Sequence, residues 1–180
     1  MRGSKSGISW GESAVRRLPR PAPRTAAAML IRPAVEADAP ALAALIRGLG
    51  LFRRLESESA DATAERVTAH MRLCLADDSH TVLVAEAEGA LAGYASVHWL
   101  PYLILKGPEG LLSELFVAEP FRGAGVGSGL LAAVVDEGRK RACARLMLEA
   151  VRSRESYIRG FYTQRGWIER SDMANMVYQL

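Results

Sequence analysis

The stretch that decides the fold reads SELFVAEPFRGAGVGSGLLAAVV, residues 113–135. An apolar, strand-like segment leads into four glycines at alternate positions and then into a helix-like segment. A helix N-terminus carries unpaired amide N–H groups and the positive end of the helix dipole, and glycines just before it let a ligand approach the backbone closely. The stretch therefore predicts a cradle for a phosphate or pyrophosphate group.

The rest of the composition indicates one soluble domain. A chain of 180 residues suffices for one well-buried core, and 49% hydrophobic with 24% charged residues is typical of a soluble globular protein. No apolar run reaches the roughly 18 residues that a membrane helix needs, so no membrane partner is expected. Cys74 and Cys143 each stand alone in their segment without a CxxC motif, which predicts reduced thiols in an intracellular protein without a metal site and leaves a single disulfide as the alternative.

Charge is distributed unevenly along the chain. Residues 1–28 contain six basic residues against Glu12, a net of +5, and subtracting this from the net charge of +3 leaves −2 for the remainder. This segment is rich in Arg and Pro without an amphipathic period, which predicts a disordered basic N-terminal extension over residues 1–28 and a domain over residues 29–180. The slightly acidic domain argues against nucleic acid as a partner. The scarcity of lysine beside arginine favours a bacterial, cytoplasmic protein.

From residue 29 onward, strand and helix patterns alternate in the order β, α, α, β, β, β, α, β, α, β. Glu88-Gly89 marks a hairpin between two strands. A helix is predicted over residues 153–166, ended by Gly166, and a last strand over residues 173–180. This order predicts a single α/β domain with a mixed sheet.

Two nucleotide-binding motifs compete for the glycine stretch. A P-loop is excluded, because no Gly-Lys-Ser/Thr ends the segment. A dinucleotide fingerprint remains an alternative, since Gly127, Gly129 and Ala132 match GxGxxA and Glu149 follows about 20 residues later. Against it, residues 118–125 separate the glycines from their strand, and the order of elements supplies no further parallel units.

Two segments together resemble the GNAT superfamily of acyl-CoA-dependent N-acetyltransferases. VAEPFRGAGVG, residues 117–127, is similar to its acyl-CoA-binding pattern Arg/Gln-x-x-Gly-x-Gly/Ala, with Arg122, Gly125 and Gly127 at the pattern positions. GFYTQRGWIE, residues 160–169, resembles the family's late Phe-Tyr-x-x-x-Gly-Phe segment. The resemblance implies an α/β (α+β) fold with a mixed, mostly antiparallel sheet of about six to seven strands, flanked by about four helices.

The resemblance also implies a site for acetyl-CoA as cosubstrate, with no metal. Its binding residues are expected in the central strand, the glycine segment and the late helix: Leu115, Phe116, Val117, Arg122, Gly123, Ala124, Gly125, Val126, Gly127, Ser128, Phe161 and Tyr162. Tyr162 matches the tyrosine that protonates the CoA sulfur in many members.

Glu114 is the candidate base. It is an acid within the apolar strand LLSELFV, and such a residue is costly to bury without a partner or a purpose. Alternation along the strand directs Glu114 and Phe116 to one face and Leu115 and Val117 to the other. Tyr94, Ser96 and His98 alternate onto one face of another strand and are candidates for the acceptor pocket.

The sequence thus predicts an N-acetyltransferase that moves an acetyl group from acetyl-CoA to a primary amine by direct transfer in a ternary complex. The acceptor is expected to be a small cationic amine or an amino acid, and a homodimer is compatible with the sequence. Two alternatives stay open at this point. One is a nicotinamide-dependent enzyme built on the GxGxxA match, and the other is a non-catalytic CoA-binding module.

Overall fold

The computed structural model of the protein describes residues 29–52, 55 and 57–178. The predicted N-terminal extension, residues 1–28, lies outside the described residues. The strands are β1 (Leu30–Pro33), β2 (His80–Ala87), β3 (Ala90–Leu100), β4 (Glu109–Val117) and β5 (Arg145–Leu148). The α-helices within the described residues are α1 (Ala39–Gly48), α2 (Ala60–Leu75), α3 (Val126–Lys140) and α4 (Glu155–Ile158).

The five strands form one sheet in the order β1-β2-β3-β4-β5. The first four are antiparallel neighbours, and β5 runs parallel to β4. Because a parallel neighbour needs a crossover, the chain passes over the sheet through α3 between β4 and β5. The predicted mixed, mostly antiparallel sheet is confirmed, with five strands within the described residues where six to seven were expected.

Helices cover both faces of the sheet. On one face, α1 and α2 pack against β2 and β3 through residues such as Leu42, Val67 and Val84. On the other, α3 packs through Leu130, Leu131 and Val134, which are at most 2% exposed. Alternate residues of each strand therefore belong to two different cores. We refer to these surfaces as the α1/α2 face and the α3 face.

Local sequence signals account for most element boundaries. Glu88 and Gly89 both have positive φ, 53° and 75°, which is the geometry of the predicted tight hairpin turn. Ser59 caps α2 by accepting a hydrogen bond from the amide of Ala62 at 3.1 Å. The helix α3 begins after Gly125, which has a φ of 88°.

Two predicted elements near the C-terminus are wrong. The helix predicted over residues 153–166 is limited to α4, because Gly160 takes the left-handed conformation with a φ of 68° and ends it early. Residues 173–178 form no strand. Their apolar side chains are exposed, Met176 at 91% and Tyr178 at 88%, and a strand needs a hydrogen-bonded neighbour that this segment lacks among the described residues.

Candidate active site

The central feature of the site is a gap between β4 and β5. The two strands pair only over Glu109–Leu112 and Arg145–Leu148. Beyond Leu112, β4 continues to Val117 and stays paired with β3, whereas β5 ends at Leu148. The far half of β4 therefore has a hydrogen-bonded neighbour on one side only.

The direction of the β4 amides follows from one hydrogen bond. The amide of Ala118 donates to the carbonyl of Ala92 on β3 at 2.9 Å. N–H groups point to alternate sides along a strand, so the Phe116 amide also faces β3, and the Leu115 and Val117 amides face the gap. Two backbone donors are thus directed at whatever occupies the space between the strands.

An ion pair joins β4 and β5 at the start of their paired segment. Glu109 is completely buried at the start of β4, and its carboxylate accepts a hydrogen bond from the Arg145 guanidinium at the start of β5. A buried carboxylate needs such a partner, so the pair fixes the two strands together at the end of the paired segment that lies away from the gap.

The N-terminus of α3 opens beside the gap. The first helical hydrogen bond runs from the Gly129 amide to the Gly125 carbonyl at 2.9 Å. Within the described residues, the amides of Gly125, Val126, Gly127 and Ser128 make no backbone–backbone hydrogen bond. Together with the helix dipole, these donors form a site that favours an anionic group.

The four glycines of this segment serve different purposes. Gly123 and Gly125 have φ values of 82° and 88°, and a Cβ on either would point into open space. A Cβ on Gly127 would lie in ordinary contact, 3.5 Å from Phe161 and from Val117. A Cβ on Gly129 would come within 2.7 Å of Met29 and 2.9 Å of Ile31 at the edge of β1. The first two permit the turn, and Gly129 permits close packing of α3 on β1.

These contacts argue against the dinucleotide fingerprint. Gly127 and Gly129 lie inside α3, whereas the fingerprint places its first glycines in the turn before the helix. Ala132, which would need to pack closely on the sheet, is exposed. The described sheet contains a single parallel pair, so a second dinucleotide half is absent from it.

Two arginines approach the cradle. The Nε of Arg122 donates to the carbonyl of Val117 at 3.3 Å, which holds this side chain against the end of β4. Arg165, which the sequence analysis missed, donates to the Ser128 hydroxyl at 2.6 Å and lies 4.2 Å from the centre of the Phe161 ring. No local pattern marks Arg165, since its contact with Ser128 joins residues 37 positions apart.

Tyr162 lies on the α3 side of the gap. It is half-buried with Phe161 against the core of the α3 face, and the two rings meet edge to face at 5.1 Å. Burial raises the pKa of Tyr162. The hydroxyl therefore keeps its proton throughout the neutral range.

On the α1/α2 face, a β-bulge sets the direction of Glu114. In the register of β3 and β4, Ser96 is opposite Glu114 and Val97 is opposite Leu112, so Ser113 is an extra residue. A bulge re-aims the side chains beside it. Glu114 consequently shares a face with Phe116 and Tyr94, while Leu115 and Val117 contact the core of the α3 face.

Glu114 has an environment suited to a base. Its side chain is exposed at the open end of this face, yet burial of the carboxyl group raises its pKa above the usual range. A hydrogen bond from the Tyr94 hydroxyl and the charge of His70 on α2 act in the opposite direction. Tyr94, 3% exposed, has its own pKa raised by burial and by Glu114. The carboxylate can therefore exchange a proton closer to neutral pH than an ordinary Glu.

The three polar candidates on β3 do lie on this same face. Ser96 is buried opposite Glu114, and His98 is half-buried two residues further along. Phe52, in the segment after α1, meets Phe116 edge to face at 5.7 Å and adds an aromatic wall. Among the described residues, no group of His, Cys, Asp or Glu is arranged to hold a metal ion.

Comparison with known proteins supports an assignment. Residues 48–167 match the family model described as "Acetyltransferase (GNAT) family". None of the curated proteins matches the chain. No helix in the described ranges combines the length and apolar character that a membrane crossing requires.

Several solved structures share the fold. A transcriptional regulator from Bacillus halodurans C-125 is 21% identical with a TM-score of 0.73, over 85% of this chain and 100% of that one. A ribosomal-protein-alanine N-acetyltransferase from Brucella melitensis biovar Abortus 2308 is 23% identical with a TM-score of 0.65, over 85% and 99%. An aminoglycoside acetyltransferase from an uncultured soil metagenomic sample is 17% identical with a TM-score of 0.68, over 84% and 96%.

The family model spans two thirds of the chain and includes the gap, the cradle and Tyr162. Members of this family are acetyl-CoA-dependent N-acyltransferases, and the unpaired amides of the cradle and gap fit that cosubstrate. The chain therefore belongs to the GNAT family of acetyltransferases.

Proposed function

We propose that the protein transfers an acetyl group from acetyl-CoA directly to the primary amine of a small cationic molecule. The observation that carries this proposal is the position of β4 between two different surfaces. Its Leu115 and Val117 amides face the gap, and its Glu114 side chain lies on the α1/α2 face. A thioester in the gap and an amine on that face would meet at the same strand.

The cosubstrate would be held by backbone and charge. The free amides at the start of α3 suit its pyrophosphate, and Arg165 adds a positive charge beside them. Bound acetyl-CoA would supply an acetyl thioester, an acyl donor with a thiolate leaving group. The Leu115 and Val117 amides would donate to the pantetheine arm or to the carbonyl oxygen as it gains negative charge.

Proton transfer would involve two residues. Glu114 would remove the proton from the acceptor ammonium, directly or through water. Its raised pKa lies closer to neutral pH than that of an ordinary Glu, which suits a general base. Tyr162, protonated at neutral pH, would donate to the departing sulfur, and the second proton, which the attacking nitrogen loses on becoming an amide, would restore the tyrosine through solvent. Neither role requires a covalent intermediate on the protein.

The acceptor class follows from the charges on the α1/α2 face. Glu114 is the acid that β4 presents there, and the rings of Phe116, Phe52 and Tyr94 surround it with apolar surface. Such a site favours a single ammonium group on a compact carbon skeleton. The residue before Glu114 is the uncharged Ser113, so β4 offers no second acid beside Glu114 for a second cation.

Thermal unfolding with added ligands tests the proposal. Acetyl-CoA and CoA should both raise the melting temperature, whereas NADH and NADPH should not, because a bound ligand stabilises the folded state by mass action. Release of free thiol should then follow addition of primary amines. Stabilisation by a nicotinamide nucleotide alone would refute the proposal, and CoA binding without turnover on any amine would leave only a binding module.

A further inference from the structure

The extra residue in the β-bulge makes contacts that a regular strand would not allow. The Ser113 hydroxyl donates to the carbonyl of Ser96 at 3.2 Å and lies 3.1 Å from Nε2 of His98. In regular pairing Ser113 would lie opposite Val97, and its side chain would point to the α3 face, away from His98. The bulge therefore brings β3 and β4 side chains together beside Glu114.

The hydrogen bonds of Ser113 determine which ring nitrogen of His98 carries the proton. A serine hydroxyl has one hydrogen, and Ser113 uses it on the Ser96 carbonyl, so Nε2 of His98 must donate to Ser113. In a neutral imidazole the other nitrogen then carries a lone pair. Within the described residues, Nδ1 of His98 has no hydrogen-bond partner. The ring thus presents a bare acceptor atom on the α1/α2 face.

The surroundings keep this imidazole neutral. Burial and the neighbouring His80, whose ring centre lies 4.4 Å away, lower the pKa of His98. The other titratable groups on this part of the face are Glu114 and Tyr94 on the sheet, and His70 and Cys74 on α2. The neutral ring carries no positive charge that would attract an anionic ligand. Its acceptor nitrogen would therefore bind the hydroxyl group of a ligand in preference to an anionic group.

We propose that His98, oriented by Ser113, recognises a hydroxyl group of the acceptor, so that the preferred acceptors are amino alcohols. This inference rests on the proposed function, since it assumes that Glu114 receives the amine. Ser96 is opposite Glu114, and His98 is two residues further along β3, a displacement of about 7 Å. A hydroxyl four or five carbon atoms from the amine would span this distance.

Matched acceptors test the inference. Aminobutanol and aminopentanol, each with a terminal hydroxyl, are compared with pentylamine and hexylamine, in which a methyl group replaces the hydroxyl. The wild-type protein should favour each amino alcohol by about three- to tenfold in kcat/KM, the range expected for one uncharged hydrogen bond. Aminoethanol against propylamine is the control pair, because its hydroxyl is too close to the amine to reach His98.

Variants then assign the preference to the imidazole. His98→Ala should abolish the ratio between amino alcohol and alkylamine. His98→Asn should retain part of it, since the carboxamide oxygen lies near the position of Nδ1. Ser113→Ala should reduce it by freeing the ring. Each variant is first checked for the same CoA-induced shift in melting temperature as the wild-type protein.

The outcomes separate the two proposals. Equal kcat/KM for alcohol and alkylamine in the wild-type protein would overturn the inference and leave the proposed function standing. A preference that His98→Ala retains would also overturn it. If none of these amines is acetylated although CoA binds, the proposed acceptor class fails, and the inference with it.

Discussion

Replacing Glu114 with Gln should lower catalysis and raise stability together. In the folded state the pKa of Glu114 is raised, so ionising its carboxyl costs more free energy in the folded protein than in the unfolded chain. This cost is absent below the usual Glu pKa and is fully present once the pH exceeds the raised value. Because Gln resembles the neutral form, Glu114→Gln removes the cost at neutral pH.

The size of the stability effect is limited by solvent. Glu114 is exposed at the open end of its face, and water screens part of the penalty. We expect a rise in melting temperature of at most about 3 °C, equivalent to less than about 1 kcal/mol for a chain of this size. Near pH 4, where both side chains are neutral, the wild-type and variant melting temperatures should converge.

The catalytic effect is larger and has its own pH signature. Loss of a general base should lower kcat/KM by about 100-fold at neutral pH. Without it, the variant depends on amine that is already deprotonated in solution, so its rate should rise about tenfold per pH unit until the amine pKa of about 10. Thiol release measured across this range gives both profiles.

A matched control removes a carboxylate from another element. Glu65→Gln, on the exposed side of α2, should change kcat/KM by less than about twofold and should keep the wild-type pH profile. A uniform loss of activity in Glu114→Gln at every pH would refute the reasoning, since it would show that Glu114 does not remove the amine proton. A fall in melting temperature would contradict the electrostatic argument.

Three further substitutions test the cosubstrate side. Tyr162→Phe should lower kcat about tenfold or more with little change in CoA affinity. The control is Tyr157→Phe, which should leave kcat unchanged because the Tyr157 hydroxyl bonds to Glu169 instead. Equal losses of kcat in the two variants would show that Tyr162 is not the general acid. Gly125→Val should abolish CoA binding measured by calorimetry, because a β-branched residue is strained at a φ of 88°, and Gly48→Ala should bind normally. Arg165→Ala should raise the Kd for CoA about fivefold and flatten its salt dependence; an unchanged Kd would show that this arginine only packs on its neighbours.

Much of the fold could be predicted because its signals are local. The hairpin at Glu88 and Gly89 is marked by a glycine that tolerates positive φ, and both residues of the turn have positive φ in the structure. The amphipathic period of α2 and the glycines before α3 also act within a few residues of each element. The last strand was mispredicted for the opposite reason. A strand depends on a partner, which residues 173–178 lack within the described chain although their composition suits a sheet.

The candidate site was harder to predict because its parts come from distant positions. Strand alternation placed Glu114 and Phe116 on one face, and the structure agrees. The bulge at Ser113 was missed, although two adjacent polar residues in an otherwise apolar strand were a usable signal for it. The divergence of β4 and β5 could not be predicted from local signals, because the length of a strand pairing has no local sequence marker.

The four glycines before and within α3 have a consequence for sequence change. Their constraints differ: backbone conformation limits Gly123 and Gly125, ordinary contacts with Phe161 and Val117 surround Gly127, and close contacts with Met29 and Ile31 limit Gly129. A saturation library should therefore give three distinct patterns of tolerated residues. Asn should be tolerated at Gly123 and Gly125, and Ala at Gly127. At Gly129 a larger residue should be tolerated only together with a smaller residue at Met29 or Ile31. Substitutions at these positions would then be accepted one position at a time, and those at Gly129 would depend on the residues at the start of β1.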